Sequence, residues 1–547
     1  MTVKNKRTGI KITAFLLSML LCVSFFAGCS KVPADAPAAS SESVPTTEAN
    51  IEPRSTLVFP EKRYHYGMDL VLDTAENTVG GHIVFDFYNE SEDIWENLCL
   101  RDYPSLYTEA QSVGYDEKLE LSKTELDGRL TEITNIKDGR NGSALEYRRD
   151  ADVSVIWLDL TSPLAPGERM RLEYDFSAKI PTVSDRFGFT GGVYNVTNFY
   201  PILAEYENGE WSHTAFIGVG ECFYSEIADY DVRITVPAEL TVAASGTENA
   251  KTDNGETVTC TYYAPCVRDF VFAASADFIC ESKVFDEVTV NVFYRKNNDA
   301  RDITPSIESA FFAAQNSLSV FGRILGVYPY DELDIVISPY LGGGMEYPNL
   351  VLISESYCVE KGIFVEDESE PAFESDTVSL EITTAHEIGH QWFMGIVGSN
   401  SGEKPWQDES LASYLELIYW DNVHGGIYEN MGTNVLPRPC KDLTDAESIA
   451  ELKSENLLPI DRSYYDYDSA MLYQESVYNV GQRVFDRMED IIGRDVMYEV
   501  LREYVHNNAF TNAAPSGFFE VLYNNAGRDN EELNTLLAFA FGENVQA

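Results

Sequence analysis

Histidine is scarce in this chain, with 7 in 547 residues, so any cluster of histidines is informative. Basic residues are scarce as well: 39 Lys and Arg face 89 Asp and Glu, a net charge of −50. That excess repels phosphate backbones and excludes nucleic-acid binding. It favours a soluble, self-repelling surface. The nine cysteines contain no C-x-x-C pair, which argues against a cysteine-built zinc site. Cys99, Cys222, Cys260, Cys266, Cys280, Cys358 and Cys440 are scattered through the body of the chain and leave room for one or two disulfides. No repeat of fixed length is present. The apolar run at residues 12–27 is short for a membrane span of ~20 residues.

What precedes and follows that run identifies it. Lys4, Lys6, Arg7 and Lys11 form a basic n-region ahead of an apolar h-region, as in a secretory leader. The leader ends Phe26-Ala27-Gly28-Cys29, which resembles a bacterial lipoprotein cleavage site with Cys29 as the lipidated residue. Residues 1–28 are thus expected to be a signal peptide. Residues 29–56, rich in Pro, Ala, Ser, Thr and Glu, are expected to be a disordered tether behind the lipid. The body is then expected on the outer face of the cytoplasmic membrane, held by an N-terminal lipid anchor. A signal-anchored or secreted form is the alternative.

Residues 57–295 alternate with a period of two. Ile83, Phe85 and Phe87 face one way, as do Val153, Val155 and Trp157. Met170, Leu172, Tyr174 and Phe176 follow a Pro166-Gly167 turn, and Val232, Ile234, Val236 and Val288, Val290, Val292 repeat the period. Turn residues separate the runs, which predicts a mostly antiparallel β domain. The pattern changes near 300. Ile307, Phe311, Ala314, Leu318, Phe321 and Leu325 follow helical spacing, with Gly326 and Pro329 as stop signals. Short strands are expected at 333–338 and 350–353, around the 342–344 glycine loop. From 380 onward the chain reads as mainly helical, with 380–397 one helix. The fold class is α+β: a β domain over 57–295, then an α-rich catalytic domain over 296–547.

The chemistry lies in His386-Glu387-Ile388-Gly389-His390. Residues four apart share one face of a helix, so both imidazoles can reach one ion. Glu387 between them is suited to act on a water that the metal activates. A carboxylate follows eighteen residues after His390, at Glu409, near the start of a second helical stretch that ends at Gly425-Gly426. Two histidines and one carboxylate leave a fourth tetrahedral position open, the mark of a catalytic zinc site rather than a structural one. His65, His82, His213, His424 and His506 show no ligand spacing and read as structural or surface residues.

These motifs together resemble the gluzincins, the zinc aminopeptidase family that contains aminopeptidase N and leukotriene hydrolase. Gly343-Gly344-Met345-Glu346-Tyr347 is similar to the family's G-x-M-E-N exopeptidase motif. His386 to His390 with Trp392, completed by Glu409, is similar to its H-E-x-x-H-x18-E set. Tyr478-Asn479-Val480-Gly481 is similar to the Tyr-x-x-Gly that carries its catalytic tyrosine at the start of a later helix. Weaker likenesses occur at Phe199-Tyr200-Pro201, Tyr230-Asp231-Val232 and Val267-Arg268-Asp269-Phe270.

The resemblance implies a saddle-like N-terminal β domain followed by a thermolysin-like domain. It implies one Zn2+ on His386, His390 and Glu409, Glu387 as general base and acid, and Tyr478 as oxyanion donor. Gly343, Gly344, Met345 and Glu346 would line the substrate, with Glu346 holding the free α-ammonium of a peptide. The further β-sandwich and helical domains of many members are not expected in 547 residues. Tyr347 stands where the family usually has Asn, and Asp408 and Ser410 replace its usual Asn and Gly. A zinc endopeptidase, or a peptide-binding lipoprotein that has lost catalysis, are the other readings.

Overall fold

The computed structural model describes residues 56–108, 127–216, 220–296, 303–340, 342–358, 376–426 and 443–545. The leader, Cys29, nearly all of the tether and Cys440 lie outside the described residues.

The alternating segments form the sheet that their period predicts. Tyr64–Asp73 buries Tyr64, Tyr66, Met68, Leu70 and Leu72 on one face and turns the residues between them outward. It pairs antiparallel with Thr78–Tyr88, which pairs in turn with Arg169–Lys179, so Ile83, Phe85, Tyr174 and Phe176 join the same core. The eight-stranded sheet continues on the other side through Ala228–Pro237, Thr257–Val267 and Thr247–Asp253. One pairing departs from the antiparallel expectation: Tyr64–Asp73 runs parallel to Ala228–Pro237, with Tyr64 opposite Ala228. Side-chain alternation is the same in both kinds of ladder, so sequence could not distinguish them. In Val155–Leu164 the fully buried face carries Ile156 and Leu158, while Trp157 stays partly exposed. Cys99, Cys260, Cys266 and Cys280 carry free thiols.

A second sheet supports the catalytic half. Its order is Phe278–Phe285, Val288–Arg295, Glu332–Ser338, Leu350–Ser354 and Gly344–Met345. The hairpin at 278–295, counted with the β half from its period, hydrogen-bonds into this sheet through parallel pairing of Thr289 with Glu332. Gly344–Met345 is the short antiparallel edge, opposite Ile353 and Leu352. Three helices, Thr304–Ile324, Asp376–Gly389 and Glu409–His424, pack together beside it, and further helices run from Gly481 to Ala540.

The predicted helix over 380–397 is shorter: it ends at Gly389. Bonds from Gly395 N to His390 O and Val397 N to Trp392 O loosen the chain beyond it, and Met394 adopts a positive φ of 112°. Trp392 is fully buried and donates its indole N–H to Gly326 O at 2.9 Å. The chain then turns so that Val397–Gly398 pairs with Thr511–Asn512. Arg268 of the β half fastens this corner. It donates to Met394 O at 2.7 Å, Thr511 O at 2.7 Å and Asn512 Oδ1 at 2.6 Å, while also holding Ser225 O at 2.9 Å.

Candidate active site

The helix Asp376–Gly389 delivers His386 and Glu387, and the residue just past its end, His390, keeps the helical His390 N to His386 O bond at 3.2 Å. Glu409 opens the helix Glu409–His424. The turn before it is anchored by buried partners: Trp406 Nε1 donates to Asp461 Oδ1 at 3.0 Å, and Gln407 Nε2 to Tyr504 Oη at 3.0 Å. All four site side chains are buried.

Their nitrogen atoms face each other in a specific way. His386 Nδ1 lies 2.7 Å from Glu416 Oε1, and His390 Nδ1 lies 2.7 Å from Asp408 Oδ1. Each carboxylate therefore takes the Nδ1–H and leaves the Nε2 lone pair free. The two Nε2 atoms stand 3.0 Å apart, and Glu409 Oε2 is 3.4 and 3.3 Å from them. Glu409 Oε2 is buried with no hydrogen-bond partner. Three lone-pair donors so close together repel one another unless a cation lies between them. Tetrahedral zinc with bonds of about 2.0–2.2 Å separates its donors by roughly 3.3–3.6 Å, close to the spacings here. His386, His390 and Glu409 thus fit a zinc ion.

The surrounding carboxylates favour positive charge at this spot. Burial pulls the His386 imidazole down, but Glu409 and Glu416 outweigh it and carry it up to about 10. Burial pushes the Glu409 carboxyl up, and the two imidazoles outweigh that and hold it below its ordinary range. Burial lifts Glu387 to about 7, against the pull of His386 and His390.

Glu346, Glu387 and His390 form a second group whose oxygen and nitrogen atoms lie within 4.8 Å of one another. Glu346 Oε1 and Glu387 Oε2 are buried without hydrogen-bond partners. Burial, reinforced by Glu221, pushes Glu346 well above the usual carboxylate range. The glycine loop explains how the edge strand comes so close. Gly343 has a φ of +90°, and a Cβ on Gly344 would lie 2.0 Å from Glu387 Oε1. Only glycine lets the strand pass directly over the Glu387 carboxylate.

Tyr478 lies in a π-turn, Glu475–Val480, ahead of the helix Gly481–Ile492. Its ring stacks on His386 with centroids 6.0 Å apart. Burial, then the Glu409 charge, lifts its hydroxyl well above its ordinary value, so it stays a proton donor. Tyr473, its neighbour in sequence, is fully buried among Tyr464, Tyr467 and Tyr478.

The departures from the family pattern each have a local partner. Tyr347 is buried and donates to Thr197 Oγ1 at 2.7 Å and Asn198 Oδ1 at 2.8 Å, tying the edge strand to the β half. Asp408 accepts from His390 and from Ser401 Oγ at 2.7 Å. Ser410 Oγ donates to Val477 O at 2.5 Å, joining the third-ligand helix to the tyrosine turn.

Sequence reasoning missed three residues. Glu416 sits seven residues after Glu409, two turns along the same helix face, a spacing that could have flagged it. Glu221, paired with Arg186 at 3.0 Å, comes from the β half and lines a cavity beside Met345 and Tyr347. No local signal marked either member of that pair. Of the remaining histidines, His65, His82 and His424 each sit on a carboxylate at 2.7–2.8 Å, none of them Glu409.

Comparison with known proteins agrees with this geometry. Residues 310–538 match the Peptidase family M1 domain. Aminopeptidase M1-B of Oryza sativa subsp. japonica is 22% identical over 316 residues, 56% of this chain and 34% of that protein. Aminopeptidase N of Lactobacillus helveticus is 24% identical over 248 residues, 43% of this chain and 26% of that protein. The chain therefore spans about a third or less of these relatives. Aminopeptidase Q of Mus musculus is 27% identical over 51% of this chain and 50% of its own length. Among solved structures, the M1 zinc metallopeptidase from Deinococcus radiodurans superposes with a TM-score of 0.55 at 15% identity, covering 88% of this chain and 94% of that one. A mutant of it bound to a Tyr-Ser-Ala substrate gives 0.57 at 16% identity, covering 87% and 94%. With its zinc-ready ligand set, residues 310–538 carry a Peptidase family M1 domain, and the chain as a whole shares the two-part fold of the M1 zinc metallopeptidase structures.

Proposed function

We propose that this chain is a zinc-dependent aminopeptidase that removes N-terminal residues from peptides. The observation that carries the reading is Glu346, buried at the edge strand with Oε1 unpartnered and its carboxylate beside those of Glu387 and the His390 imidazole. A free α-ammonium supplies the missing positive charge and hydrogen bonds there. An internal peptide bond offers nothing to that carboxylate, which weighs against an endopeptidase.

His386, His390 and Glu409 hold the ion, which when bound lowers the pKa of water and polarises the scissile carbonyl. Glu387 takes the proton of the attacking water at Oε2 or Oε1 and delivers it to the leaving amine. Tyr478 donates its O–H to the negative charge that develops on the carbonyl oxygen. Asp408 and Glu416 orient the two imidazoles through their Nδ1–H groups. Gly344 and Met345 present edge backbone to the substrate. The intact catalytic set argues against an inactive binding protein.

The test compares a peptide bearing a free N-terminus with its N-acetylated twin, with and without a chelator. Chelator-sensitive cleavage of the free peptide alone is expected. Equal cleavage of both sinks the exopeptidase reading, and activity that survives metal removal sinks the zinc reading. The basic and apolar leader ending at Cys29 supports tethering of the body to the outer face of the cytoplasmic membrane.

A further inference from the structure

Arg268 and Asp269 follow the strand Thr257–Val267 of the β half, and both are buried. Each reaches a different arm of the active site. Arg268 Nε donates to Met394 O at 2.7 Å and to Gly395 O at 3.2 Å. Those carbonyls belong to the turn that follows His390. Gly395 N donates back to His390 O at 2.9 Å, and His390 Nδ1 lies 3.1 Å from Phe393 O. The guanidinium thus braces the turn next to a metal-ligating histidine.

Asp269 reaches the other arm. Its Oδ2 accepts from Asn198 Nδ2 at 2.8 Å, and Asn198 Oδ1 accepts from Tyr347 Oη at 2.8 Å. Its Oδ1 accepts from Tyr200 Oη and Phe270 N, both at 2.7 Å, which fixes the carboxylate in place. Tyr347 directly follows Glu346, just past the edge strand Gly344–Met345. The Tyr347 carbonyl accepts from Gln391 Nε2 at 3.0 Å, and Gln391 Oε1 accepts from Asn349 N at 2.9 Å. Gln391 is buried and is the chain neighbour of His390.

These contacts close a ring. It runs from Arg268 through the turn to His390 and Gln391, across to Tyr347, and back through Asn198 to Asp269. The last link is covalent, because consecutive Cα atoms lie about 3.8 Å apart. Asn198, Arg268, Asp269, Tyr347 and Met394 border one cavity, which places the two arms side by side. The span that the ring holds has chemical meaning. On the aminopeptidase reading, Glu346 anchors the ammonium, and His390 holds the ion that polarises the carbonyl. One carbon separates amine from carbonyl in an α-amino residue. A β-amino residue adds another and shifts the amine by roughly 1.5 Å.

We propose that Arg268 and Asp269 are positioning residues that set the distance between His390 and Glu346, and with it the preference for an α-amino over a β-amino N-terminus. The proposal rests on the aminopeptidase reading above.

The 4-nitroanilides of alanine and β-alanine test it, with kcat/KM measured on the full chain at saturating zinc. The parent should prefer the alanyl substrate. Tyr347→Phe keeps the ring and removes the hydroxyl that Asn198 holds. Arg268→Lys keeps the charge and loses the fork. Each should narrow the alanyl to β-alanyl ratio roughly tenfold. The ratio is internal to each variant, so a loss of folded enzyme cancels and a merely structural role leaves it unchanged. If Arg268→Lys does not fold, Asn198→Ala takes its place with the same expectation. A parent that cleaves both anilides equally, or a ratio that stays at the parent value in either variant, overturns the proposal. N-acetyl-alanyl anilide separates this from the reading beneath it. If the parent cleaves it as fast as the free form, the aminopeptidase reading fails; if the parent rejects it and the variant ratios do not move, only the positioning role fails.

Discussion

Gly481 packs against Ser410 so closely that a Cβ at 481 would lie 2.1 Å from Ser410 Oγ and 2.6 Å from its Cβ. This contact sets the distance between the helix bearing Glu409 and the turn bearing Tyr478. Alanine in a helix is ordinarily better than glycine by about 1 kcal/mol. Here Gly481→Ala should instead lower the melting temperature and reduce kcat by tenfold or more, because the Tyr478 turn must retreat. Ser410→Gly in the same chain should restore most of the loss, since it removes the obstructing atoms at the expense of one hydrogen bond. Melting curves and steady-state rates on the two variants decide this. An unchanged kcat in Gly481→Ala contradicts the account.

Glu387 and Tyr478 act on protons and charge rather than on metal retention, and their variants should separate accordingly. Glu387→Gln removes a general base and should cost roughly 10²–10⁴ in kcat. Tyr478→Phe removes one oxyanion donor and should cost about 10²–10³. Both should keep one zinc per chain by elemental analysis. A variant that loses its zinc along with its rate belongs to the ligand set instead.

The candidate metal cluster was legible because its members are set by helical spacing, which sequence displays directly: His386 and His390 are four apart, and Glu409 begins the next helix. Strand alternation likewise revealed the β half. What sequence could not display are contacts that join distant segments. Tyr347 reaches Thr197 and Asn198, Arg268 reaches Met394 and Thr511, and Glu221 meets Arg186, each across a gap that no local period encodes. The hairpin at 278–295 shows the same limit. Its alternation marks it as strand, but only its pairing with Glu332–Ser338 determines which sheet it joins.

Asp408 offers a test of how strongly the imidazoles need their carboxylates. Its Oδ1 accepts from His390 while Oδ2 accepts from Ser401. Asp408→Asn keeps an acceptor for the His390 Nδ1–H, so zinc affinity should fall only a few-fold. Glu416→Ala removes the carboxylate on the His386 Nδ1–H, and Asp408→Ala leaves the His390 Nδ1–H only the Phe393 carbonyl at 3.1 Å; both should weaken zinc by roughly 10–100-fold. Competition against a chelator of known affinity measures all three. Equal zinc affinity in Asp408→Ala and the parent removes the orienting role.

The proposed tether turns on Cys29. Cys29→Ser should abolish lipid attachment, and the body should then move from the membrane pellet to the soluble fraction with its peptidase rate intact. Retention of the variant in the pellet after a carbonate wash would favour the signal-anchored alternative.

Asp269 gives stability a pH dependence of defined sign. It is buried, and burial lifts it to about 7 although Tyr200, Asn198 and the Phe270 N–H all donate to it. Its ordinary value is 3.8. A carboxyl whose folded value lies above its unfolded value binds its proton more tightly in the fold. Its contribution is therefore fully present below about pH 4 and is lost as pH rises through about 7. The span corresponds to an upper figure of roughly 4 kcal/mol. Asp269→Asn has no proton to lose, so its stability relative to the parent should improve steadily from pH 4 to pH 8. Glu221 and Glu332, raised to about 8 and about 7, chiefly by burial, tilt parent and variant alike and cancel in the difference. Denaturant midpoints at matched ionic strength measure it. A parent-to-variant difference that stays flat from pH 4 to pH 8 means that Asp269 titrates near its ordinary value.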